Sequence, residues 1–76
     1  MNKERRKRIS EVTDQISSLL QELEEIKDEE QEYMDNIPEN LRGSQKYEDA
    51  EEAFSNLESA VDDLSEVIDY LNSASA

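Results

Sequence analysis

Apolar residues recur at alternating spacings of three and four over two long stretches of the chain, a seven-residue repeat that leaves few options other than paired helices. In the first stretch they are Ile9, Val12, Ile16, Leu19, Leu23, Ile26, Tyr33 and Ile37. In the second they are Tyr47, Ala50, Phe54, Leu57, Val61, Leu64, Ile68 and Leu71. Glu30 is the one interior position of the repeat that is not apolar, while Leu20, Met34, Ala53, Ala60 and Val67 widen the stripe on its flanks. The spacing predicts one helix over about residues 4 to 36 and a second that starts after Ser44 and frays over "NSASA" at the end.

Between the stretches lie the only proline and the only glycine, Pro38 and Gly43. Proline disfavours a helical conformation at Ile37 and removes a backbone donor, so one continuous helix is excluded. The segment "NIPENL" suits a short helical turn with Pro38 in its first position. Gly43 is expected to supply a positive φ before Ser44 caps the second helix, whose first turns carry Glu48, Asp49, Glu51 and Glu52 near the positive end of its dipole.

Folding the chain back so that Ile37 meets Tyr47 aligns Tyr33 with Ala50, Ile26 with Leu57, Leu23 with Val61, Leu19 with Leu64, Ile16 with Ile68 and Val12 with Leu71. Two repeats that stay in phase over their whole length are expected to pack together. The expected fold is all-α: an antiparallel, coiled-coil-like two-helix hairpin over residues 9–72, with a turn at about 37–44, a basic arm at 1–8 and a frayed end at 73–76. Two helices leave half of each apolar stripe near water, and 76 residues is a small chain for a self-sufficient core. The sequence therefore predicts association, either as a homodimeric four-helix bundle or on a groove of another protein.

The composition removes most chemistry. There is no cysteine and no histidine, so disulfides, thiolate metal sites and the commonest general base are all missing. A calcium loop with its glycine is absent, and a hairpin offers carboxylates no deep pocket in which to act as acid and base. A non-enzymatic protein without cofactors or metals is expected. The basic start is not followed by an apolar run, because "ISEVTDQISSLL" interrupts it with polar and acidic residues, and no stretch approaches a membrane span. These features predict a soluble, cytoplasmic protein with no membrane partner.

The formal net charge of -13 hides an uneven distribution. Residues 1–8 carry five basic side chains, Lys3, Arg5, Arg6, Lys7 and Arg8, and one acidic one, a net +4; the remaining three basic and twenty acidic side chains make the body -17. Such a body repels phosphates and attracts basic protein surfaces. Helical spacing sets Glu22, Glu25, Glu29 and Glu32 along one exposed edge, a carboxylate row suited to a basic partner. The leading expectation is a protein-interaction module. The alternatives are a structural coiled coil that acts by self-association and a nucleic-acid accessory protein that uses the basic arm. The last is disfavoured by the acidic body and by the absence of aromatic side chains among the arm's cations. Tyr70 lies outside the repeat and marks a candidate contact near the open end.

The stretch "IKDEEQEYMDNIPENLRGSQKYEDAEEAFSNLESAVDDLSEVIDYL", residues 26–71, resembles a recurrent group of small uncharacterised acidic helical proteins of Gram-positive bacteria, their phages and mobile elements. Asp35, Asn36, Pro38 and Glu39 are the most distinctive part of the likeness. This chain departs from the group at "NLRGSQKY", where a Gln and a Ser-Glu pair are expected. The resemblance implies a phage or mobile-element setting, where small acidic proteins commonly bind host or phage proteins, and it implies no enzymatic activity.

Overall fold

The computed structural model describes all 76 residues. Two helices, α1 (Lys3–Asp35) and α2 (Gln45–Ala74), pack side by side and are joined by a single 3-10 turn at Glu39–Leu41. The result is a helical hairpin, 59 × 14 × 13 Å in extent. The 33 residues of α1 at about 1.5 Å each account for roughly 50 Å of that length, and the turn and chain ends for the rest.

Local chemistry sets the helix ends. Asn2 caps α1, its side-chain oxygen accepting from the Arg5 amide at 2.7 Å, so Lys3 to Arg8 form the first turns of α1. At the other end the Asn36 amide closes on Glu32 and Met34 carbonyls. Ile37 cannot stay helical ahead of a proline. Pro38 is extended, with φ -56° and ψ 145°, and stands just before the short turn, one position earlier than the sequence suggests. Its carbonyl accepts from the Leu41 amide at 2.9 Å. Ser44 then starts α2: its hydroxyl accepts from the Tyr47 amide at 3.3 Å and donates to the Leu41 carbonyl at 2.6 Å. The positive φ expected of Gly43 is absent, because the 3-10 turn reverses the chain with ordinary right-handed conformations. At the C-terminus the helix continues through Ser73 and Ala74, with the Ser75 amide bonded to the Leu71 carbonyl at 3.0 Å, so fewer residues fray than expected.

Side-chain burial shows which rows meet. Four residues are buried, Thr13, Met34, Ala50 and Val61, and no side chain is wholly enclosed. In α2 the expected seam holds: Tyr47, Phe54, Leu57, Leu64, Ile68 and Leu71 are half-buried beside Ala50 and Val61. In α1 the seam is rotated by one residue at every second position. Ile9, Ile16, Leu23 and Ile37 face α2 as expected, but the alternating places belong to Thr13, Leu20, Lys27 and Met34. Val12, Leu19, Ile26 and Tyr33, expected between the helices, are 47%, 57%, 42% and 40% exposed. The correction has a geometric cause. Ile9, Ile16, Leu23 and Ile37 lie at the centre of the stripe, and either flanking row completes a heptad seam with them. The rotated seam gives a single antiparallel register in which Thr13 lies opposite Leu71, Leu20 opposite Leu64, Leu23 opposite Val61, Met34 opposite Ala50 and Ile37 opposite Tyr47. Glu30, the one interior position of the repeat that is not apolar, is half-buried at the level of Phe54.

Candidate functional site

The rotation of α1 makes the hairpin two-faced. On one broad face the seam is flanked by Ser10, Ser17, Glu24 and Gln31 of α1 and by Glu51, Glu58, Ser65 and Asn72 of α2. On the other it is flanked by Val12, Leu19, Ile26 and Tyr33 of α1 and by Ala53, Ala60 and Val67 of α2. Polar and apolar flanks of this kind are what a helix pair shows when one side meets water and the other meets a further layer.

Three grooves run along the apolar face. At the turn end, Tyr33, Ile37, Pro38, Leu41 and Lys46 line one of about 440 Å³. In the middle, Leu19, Leu23, Ile26 and Leu64 line one of about 290 Å³, with Glu22 on its rim. At the open end, Arg5, Arg8, Ile9, Val12 and Leu71 line another of about 290 Å³. The first and last are edged by cations and the middle one by a carboxylate.

Two cation–aromatic contacts fasten the turn. The Lys46 ammonium lies 5.6 Å from the centre of the Tyr33 ring, and the Arg42 guanidinium 6.0 Å from that of Tyr47, distances at which the ring quadrupole attracts a cation. The Arg42 Nε also donates to the Ile37 carbonyl at 3.4 Å. Tyr33 and Tyr47 thus belong to the closure of the turn, with Tyr33 left partly exposed at the end of the apolar row. Tyr70 is 68% exposed and its hydroxyl donates to Glu66 at 3.2 Å, which places it at the edge of α2, away from the seam.

The predicted acidic row Glu22, Glu25, Glu29 and Glu32 is exposed along α1. Glu22 and Glu29 border the apolar face, and Glu25 and Glu32 lie further round the helix. The basic residues Lys3, Arg5, Arg6, Lys7 and Arg8 are exposed on the first turns of α1, and Arg5 continues the row of Val12, Leu19, Ile26 and Tyr33 at the same spacing of seven. No group of three or more Asp or Glu side chains converges in a way that could hold a metal ion. No helix is long and apolar enough to cross a membrane.

Sequence spacing reveals the apolar stripe but misses Thr13, whose hydroxyl donates to the Ile9 carbonyl at 2.8 Å and so enters the seam with its polar atom satisfied. The signal lay in the small polar residues Ser10 and Ser17 beside it, which mark the side of the stripe that closes against α2. Comparison with family models, with curated proteins and with solved structures returns no match.

Proposed function

We propose that the chain is a non-enzymatic protein-interaction module that works through its apolar face, pairing with a second hairpin to form a four-helix bundle. The observation that carries this reading is the exposed row Val12, Leu19, Ile26 and Tyr33, set against the polar residues of the opposite face. The areas agree. A folded chain of 8.8 kDa is expected to expose about 4,800 Å², whereas the hairpin exposes 5778 Å². A face 59 Å long and 14 Å wide is on the order of the ~800 Å² each partner gives to a standard stable interface.

The exterior of such a bundle is acidic, and Glu22, Glu25, Glu29 and Glu32 are the residues we assign to a basic protein surface. The resemblance to small acidic proteins of phages and mobile elements supports a host or phage protein as that target, in the cytoplasm. The competing reading is a purely structural coiled coil in which self-association is the whole function, and the basic arm as a nucleic-acid site ranks behind both.

Sedimentation equilibrium tests the face. Wild-type protein at tens of micromolar is expected to sediment as more than one chain, and Leu19→Glu with Ile26→Glu is expected to give a helical monomer, since both side chains are exposed in the single hairpin. A wild type that stays monomeric and retains no protein partner would overturn the proposal. The paired change Glu25→Lys and Glu32→Lys, both on the side of α1 away from the apolar face, separates the two readings: the dimer survives in both, and only the interaction module loses a target.

A further inference from the structure

The two ends of the hairpin carry opposite charge, and the apolar face runs between them. At the open end residues 1–8 hold five basic and one acidic side chain, a net +4, and with Glu11, Asp14 and Asp69 of the adjoining turns residues 1–15 and 69–76 together come to +1. At the turn end residues 28–52 hold ten acidic and two basic side chains, a net -8. Arg5 and Arg8 line the groove at the open end of the apolar face itself, so their charge stands at the edge of any interface formed there.

Two identical hairpins that bury this face against each other must be related by a two-fold axis lying in the interface. Only two arrangements are available. With the axis along the hairpin, the open ends come together. With the axis across it, each open end lies over the partner's turn end. The first sets the bulky α1 row over the partner's Ala53 and Ala60, a fair steric match, yet it superposes two ends of net +4 and two of net -8. The second places +4 against -8 at both ends. Packed helices are about 8–10 Å apart, close to the ~8 Å screening length at physiological ionic strength, so charges at the rim of the interface act across it.

We infer that a second copy of this chain covers the apolar face in the antiparallel arrangement, with Arg5 and Arg8 of each hairpin docked on the acidic turn end of the other. This rests on the proposed pairing and adds its orientation and a role for the basic arm. The exposed α1 row is compatible with reversal: with Leu19 on the axis, Val12 faces the partner's Ile26, Arg5 reaches the level of its Tyr33, and Arg8 that of its Glu30, one residue beyond Glu29. Glu29 then offers Arg8 a carboxylate, and Tyr33, whose ring already holds Lys46 at 5.6 Å, has its other face for Arg5. Arg5 and Arg8 of the arm are thereby assembly elements.

The chain has no cysteine, so Asn40→Cys gives one spin label per chain, on the exposed turn. Pulsed EPR is expected to find the two labels of a dimer about 50 Å apart or more, the spacing that ~1.5 Å per residue gives for opposite ends. Labels within about 25 Å would place the open ends together and overturn this inference while leaving the pairing intact; a protein that sediments as one chain would overturn both. Arg5→Glu with Arg8→Glu is expected to raise the dimer dissociation constant about tenfold, with Lys7→Glu, which points away from the face, changing it by less than twofold. Equal effects of the two variants would remove the assigned role of Arg5 and Arg8.

Discussion

Replacing Glu30 by leucine should stabilise the protein, because Glu30 is the one acidic side chain that enters the interhelical seam. It is half-buried at the level of Phe54, flanked along the seam by Lys27 and Met34. Fully burying a leucine is worth roughly 1.5–3 kcal/mol, so a half-buried one contributes about 1 kcal/mol. Helix propensity is neutral in the exchange, and losing the attraction to Lys27 three residues earlier costs only ~0.3 kcal/mol. With an unfolding entropy of ~2.1 cal/mol/K per residue, a chain of 76 residues shifts its melting temperature by about 6 °C per kcal/mol. Circular dichroism melts at 222 nm should therefore show Glu30→Leu about 4–6 °C above wild type. Both proteins must be measured at one chain concentration, because association makes the midpoint concentration-dependent. Glu25→Leu is the control, since Glu25 is exposed on the outer side of α1 and surface changes stay within about ±0.5 kcal/mol. A Glu30→Leu midpoint no higher than that control would show that residue 30 does not sit in the seam, against its half-burial in the hairpin.

The turn offers two further checks. Gly43 has no positive φ, and a Cβ built on it meets nothing within 4 Å, so Gly43→Ala should stabilise by about 0.4–1 kcal/mol through the unfolded chain, a rise of a few degrees in the same melts. A fall would mean that the turn needs a left-handed glycine after all. Ser44→Ala should cost about 1 kcal/mol, since it removes both the cap on the Tyr47 amide and the bond to the Leu41 carbonyl; Ser44→Asp keeps the first and should recover most of the loss.

Much of this molecule is legible in its sequence, and the part that is not has a definite cause. The helices, the break at Pro38 and the cap at Ser44 follow from local rules, and α2 leaves its seam unambiguous because its flank of Ala53 and Ala60 is too small to compete with Phe54 and Val61. In α1 the competition is real. Ile16 and Leu23 are shared by two overlapping heptads, one completed by Leu19 and Ile26 and the other by Leu20 and Lys27. Hydrophobicity favours the first, since Lys27 is a poor seam residue by type. The hairpin adopts the second, in which the lysine stem lies along the seam in the manner of long cationic side chains at apolar edges. Choosing the less apolar row for the internal seam leaves the more apolar one outside, and the proposed pairing rests on that exposed row. Gly43 was misread for a simpler reason: a glycine in a turn invites a positive φ, but a 3-10 turn closes without one.

The basic arm is where sequence and structure lead to opposite experiments. Read alone, five cations at the start of a helix suggest a phosphate contact, and each phosphate neutralised would contribute about -0.9 to the slope of log affinity against log salt. An arm binding with all five cations would therefore give a slope near -4.5. In the proposed antiparallel pair Arg5 and Arg8 are engaged by the partner, and the surrounding surface belongs to a body of -17 per chain, so the wild-type protein should bind duplex DNA negligibly at physiological salt. Disrupting the pair reverses the expectation in part. The Leu19→Glu, Ile26→Glu monomer frees its arm from the partner, and although it adds two negative charges it should bind DNA at low salt more tightly than wild type does. Fluorescence anisotropy with a labelled duplex across a salt series measures both proteins. A wild type that binds with a slope of about -4 would place the arm in solvent and refute its role in assembly; a monomer that gains affinity where the dimer has none would show that the partner, and not the arm's own sequence, keeps it from phosphate.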